Sequence, residues 1–120
     1  MTLTTPDSWP VIARLVAWLD ANNGRTPQEI TLRLLKLSEE TGEVAQAWIG
    51  TLGQNPRKGT THTREDVVDE LCDVIVTAMV AMTSITDTPG DAFARKLAQI
   101  AELRLGNTDP AAEFAATATP

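Results

Sequence analysis

Residues 39–43 read EETGE and residues 70–73 read ELCD. Glu40 and Glu43 stand three apart, as do Glu70 and Asp73, and Glu39 stands four from Glu43. Residues three or four apart share one face of a helix, so each stretch sets carboxylates side by side, where like charges repel. Both stretches also lie against apolar residues: Leu34, Leu37, Val44, Ala45 and Trp48 around the first, and Leu71, Cys72, Val74 and Ile75 around the second. Carboxylates beside a core are costly unless something compensates their charge. Basic side chains are one remedy, and Lys36 stands four residues before Glu40. The chain has only ten Lys and Arg for sixteen acids, however, and the ELCD segment has no basic residue after Arg64.

The other remedy is a divalent cation held between two helices, each contributing an ExxE or ExxD pair. Oxygen ligands alone select hard ions, Mg²⁺ or Mn²⁺, with Ca²⁺ admissible. Zinc or di-iron chemistry would call for histidine, and the only one is His62, in a polar loop. A single ExxE pair on a helix is ordinarily a solvated face; two such pairs, both beside apolar runs, fit that explanation less well. Glu65, Asp66 and Asp69 belong near a helix start, where caps and the helix dipole account for acids.

The elements that would position these groups are four helices, with no convincing strand. Asp7 or Ser8 caps the first, which runs to about Ala21 before NNG stops it. Thr26, Pro27 and Glu29 form a capping box with proline at the first helical position, opening a helix that runs to Ile49 or Gly50. GTLGQNPRKGTTHT is a loop. Thr63 with Asp66 opens a third helix ending near Ser84; Thr88, Pro89 and Asp91 open a fourth, ended after Leu105 by Gly106. Residues 1–8 form an N-terminal extension, 9–105 the helical domain, and 106–120 a tail expected to be disordered. The third helix is apolar nearly all round, so protein should surround it. A dimer sharing a bundle would achieve that.

The net charge of −6 argues against nucleic-acid polymers and anionic membranes as partners, although a bound cation could still bring in a small phosphorylated substrate. A lone cysteine, no secretory signal and no apolar run of membrane-spanning length point to a soluble, cytoplasmic protein.

EETGE followed by ELCD resembles the EExxE…ExxD signature of the MazG-like family, in the all-α nucleoside triphosphate pyrophosphohydrolase superfamily. The resemblance spans roughly residues 9–105. It implies an all-α, four-helix bundle-type core completed by oligomerisation as a dimer or tetramer, and Mg²⁺-dependent cleavage of (d)NTPs to monophosphate and pyrophosphate, in keeping with nucleotide-pool housecleaning. By position, Glu40, Glu43, Glu70 and Asp73 would be the metal ligands. Glu39 aligns with the first acid of the signature and would orient water, and either Glu39 or Glu43 would act as general base.

Cations should meet the phosphates: Arg57 and Lys58 in the loop, unless they merely solubilise it, and Lys36, unless it only partners the acids. Lys96 resembles the fourth-helix lysine of the family, although Ile100 stands where the family pattern has asparagine and Arg104 is loosely in register. Trp18 and Trp48 are the candidates for stacking on a base, with core packing the commoner role of a tryptophan at helical spacing. The alternative function is a non-catalytic helical dimer that senses a nucleotide or docks a protein.

Overall fold

The computed structural model describes residues 7–106. Four helices make up 81% of them, and no strand occurs among the described residues. The helices are α1 (Ser8–Asn23), α2 (Pro27–Leu52), α3 (Arg64–Ile85) and α4 (Pro89–Leu105). None is long and apolar enough to cross a membrane. Two compact units are present, with α1, α2 and α3 in the first (Met1–Pro89) and nearly all of α4 in the second (Gly90–Pro120). The expected extension and tail lie largely outside the described residues. Asp7, one of the two expected caps, caps α1, and Ser8 begins it.

Local chemistry sets the helix ends. The Asp7 carboxylate accepts from the Trp9 N–H at 3.3 Å, and the Thr26 hydroxyl from the Glu29 N–H at 3.2 Å. α3 opens on a reciprocal capping box: Thr63 N–H donates to Asp66 Oδ2 (2.8 Å) and Asp66 N–H to Thr63 Oγ1 (3.2 Å). These bonds hold the Asp66 carboxyl below its usual range. α2 runs past Gly50 to Leu52 and stops at Gly53, whose φ of 63° suits a residue without a Cβ.

α2 and α3 form the main helix pair, and α1 packs on α3. Thr51 Oγ1 lies 3.3 Å from the Thr63 carbonyl at one end of the pair. Arg33 reaches Ser84 at the other, so the two helices run antiparallel. Ala47 on α2 and Ala81 on α3 are buried with Ile12 and Val16 of α1. The expectation that α3 is surrounded by protein does not hold within this unit. α1 and α2 cover only part of it, leaving Val68, Ile75 and Ile85 more than half exposed.

Arg33 is the most deeply buried charged residue, at 5% exposure. Its Nη1 donates to Ser84 Oγ (2.9 Å) and pairs with Asp20 (3.0 Å), its Nε pairs with Glu29 (3.3 Å), and its Nη2 donates to the Gly24 carbonyl (3.0 Å). One planar guanidinium thereby ties the end of α1, the start of α2 and the end of α3 together. A hydrogen bond from Arg25, reinforced by Arg33, keeps Asp20 below the usual carboxylate range against the opposing effect of burial.

Candidate metal centre

The i, i+3 spacing on α2 aims Glu40 and Glu43 at α3, and the same spacing on α3 returns Glu70 and Asp73. One carboxylate oxygen from each of the four lies within 4.8 Å of the others. The group has a closed and an open side: Glu40 is buried at 9% exposure, Glu43 and Glu70 are half-buried, and Asp73 is exposed. The apolar run around ELCD does not bury Asp73. Glu40 lies deepest because its face of α2 is the one against α3, whereas Asp73 sits at the margin beside exposed Cys72.

Compensation within the chain is partial. Lys36 Nζ lies 3.4 Å from Glu40 Oε1 and 3.6 Å from Glu39 Oε2. The charge of Glu39, followed by the hydrogen bond to Glu40, raises the Lys36 pKa, so the ammonium stays charged. Glu40 Oε2 and Glu70 Oε2 are both buried with no hydrogen-bond partner among the described residues. Two orphaned carboxylate oxygens facing two more acids form a donor set that suits a hard divalent cation, which also supplies the missing positive charge.

The other sequence candidates are dispersed. Glu39 stands outside the group of four, largely exposed and tied to Lys36. Trp48 is 40% exposed rather than a core residue, and its ring lies under the Arg64 guanidinium, 5.3 Å from the centroid. Trp18 is exposed on α1. Arg57 and Lys58 occupy the loop of residues 53–63, where Arg57 N–H donates to Asn55 Oδ1 at 3.0 Å. Lys96 belongs to α4, in the second unit.

Sequence reading passed over Arg33, Arg64 and Gly50. Gly50 is a contact residue, since a Cβ there would overlap His62 Nδ1 and Thr61 Oγ1. A glycine at a helix end next to a polar loop was the only available signal, and it resembles a stop signal. Comparison with protein-family models, curated proteins and solved structures gives no match to this chain.

Proposed function

We propose that this chain is a Mg²⁺-dependent nucleoside triphosphate pyrophosphohydrolase of the MazG-like kind, with Mn²⁺ as a substitute, releasing a monophosphate and pyrophosphate. The observation carrying this reading is the convergence of Glu40, Glu43, Glu70 and Asp73, two of which have a buried carboxylate oxygen without a hydrogen-bond partner among the described residues. A divalent cation held there supplies charge neutralisation for phosphate oxygens and acidifies a bound water.

The chain's own groups account for the rest. Asp73 forms the open side through which a phosphate chain can approach, and Glu40 anchors the closed side with its outer oxygen held by Lys36. Glu39 or Glu43 takes the proton of the attacking water. That water adds to the α-phosphorus, and the α–β bridging oxygen leaves with pyrophosphate. A second copy of the chain is part of this reading. Val11, Leu15 and Trp18 of α1 and Ile75 of α3 are all at least 40% exposed, an apolar surface suited to completing a bundle.

A panel of dNTPs with Mg²⁺, monitored for pyrophosphate and monophosphate, tests the proposal. Turnover of at least one member is expected, with a loss of about a hundredfold or more on Glu40→Ala or Asp73→Ala. Activity surviving both substitutions rules out the metal assignment. Nucleotide binding without cleavage by the wild type would favour the sensing module instead.

A further inference from the structure

We propose that the cavity between the end of α2 and the loop of residues 53–63 is an anion site for the pyrophosphate end of the substrate. The inference rests on the phosphohydrolase reading for its ligand and on separate residues for its geometry. The cavity is about 320 Å³, and its walls include Gln46, Asn55, Lys58, Thr61 and His62. No carboxylate lines it, although the chain carries sixteen acids and a net charge of −6. Lys58 has no ion pair among the described residues, so its ammonium is available to a ligand.

The loop is held in place by its own bonds. The Asn55 carbonyl accepts from the N–H groups of Lys58 (3.1 Å) and Gly59 (2.9 Å), and Gly59 takes a φ of 68°. Thr61 N–H donates to the Gly50 carbonyl at 3.0 Å, pinning the far side of the loop to α2. The absent Cβ of Gly50 lets Thr61 and His62 close over the helix end. Thr61 Oγ1 and His62 Nδ1 lie 2.8 Å apart. When the hydroxyl donates in that bond, Nε2 carries the ring proton and can donate to an anion. Ammonium, imidazole N–H and side-chain amide donors make a phosphate-binding set.

Position relates this cavity to the carboxylates. Gln46 is three residues beyond Glu43, a rise of about 4.5 Å along α2. In the other direction Lys36, one turn before Glu40, lines a largely apolar cavity of about 380 Å³ with Leu32, Val76 and Val80. Along α2 the largely apolar cavity, the carboxylates and the loop cavity therefore follow in order. In this proposal a nucleoside triphosphate follows that order, with its terminal phosphates toward Lys58 and His62.

His62 is the only histidine, so its ring resonances in the untagged chain report on this cavity alone. Inorganic pyrophosphate, titrated first in EDTA and then with Mg²⁺, should give a saturable shift of those resonances. Lys58→Ala should weaken it about tenfold, the loss of one charge-assisted contact. Inorganic phosphate should bind more weakly than pyrophosphate, and an equal response would overturn the pyrophosphate assignment. A ring signal that does not move, or an affinity unchanged in Lys58→Ala, overturns the site itself. The two proposals fail separately. A saturating shift in a chain that cleaves no nucleotide keeps this site and removes the hydrolase, whereas turnover whose pyrophosphate inhibition is unchanged in Lys58→Ala does the reverse.

Discussion

Glu70→Gln removes one charge from the carboxylate group while keeping the side chain's size. Glu70 has no ion pair among the described residues, and Lys36 pairs with Glu39 and Glu40. Its three acidic neighbours each offer an oxygen within 4.8 Å. At that separation two unit charges repel by ~0.9 kcal/mol in a water-like medium and by ~3.5 kcal/mol at an effective dielectric of ~20. Solvent at the open side by exposed Asp73 screens the site, and the new amide has donors to satisfy, so the net relief is on the order of 1–2 kcal/mol. In EDTA the variant should be more stable than wild type by that amount, raising Tm by roughly 4–8 °C per kcal/mol. In excess Mg²⁺ or Mn²⁺ the order should reverse. The wild type gains ~2.7 kcal/mol at a hundred times Kd, and a variant short of one ligand gains little. Urea unfolding followed by far-UV circular dichroism, with and without metal, measures both arms. A variant less stable than wild type in EDTA, or a wild type that neither cation stabilises, would show that these acids form a solvated face and refute the reasoning.

Two further outcomes concern the frame that holds the site. Arg33→Met should cost about 2–3 kcal/mol in urea unfolding, because it leaves Glu29 without its cation, leaves Asp20 with Arg25 alone, and unties α1 from α2 and α3. Arg33→Lys should recover only part of this, since an ammonium cannot span the same partners; a loss below about 1 kcal/mol in the methionine variant would contradict the assigned role. Asp20 and Asp66 both have folded pKa values below the free carboxylate, so the folded state binds fewer protons than the unfolded one as the carboxylates titrate. The stability they contribute is fully present above the unfolded value of about 3.9, and it is lost as pH falls through the lowered folded values. The urea midpoint should therefore drop through that window, and less steeply in Asp66→Asn, whose amide oxygen can still accept from Thr63; an unchanged slope would count against the assignment.

The helices were legible because their starts are written in local chemistry: Thr26 with Glu29 and Thr63 with Asp66 satisfy backbone N–H groups within one turn. The acid pairs were legible for the same reason, since i, i+3 spacing fixes a shared face before any tertiary contact forms. What depended on packing was not. α3 is apolar nearly all round, so its pattern could not tell which side meets α2, and Asp73, set in that apolar run, came out exposed. Gly50 looked like a stop, yet its role is to admit Thr61 and His62, while Gly53 ends the helix. Arg33 showed locally only the i, i+4 spacing from Glu29, which an exposed pair would share, because its hydroxyl partner, Ser84, lies 51 residues away.

The placement of these features along the α2–α3 pair bears on how the carboxylates are held. Thr51 and Thr63 meet at one end, Arg33 and Ser84 at the other, and the four acids lie between them. A helix pair with repelling charges at its middle tends to splay, and the apolar side chains fully buried in this unit are few: Ile12, Val16, Ala47 and Ala81. Polar ties at both ends resist that opening without placing further groups among the acids. The buried Arg33 network then does more than add stability. It holds Glu40 and Glu43 opposite Glu70 and Asp73, so a cation bound as proposed would not have to supply the ordering of its ligands.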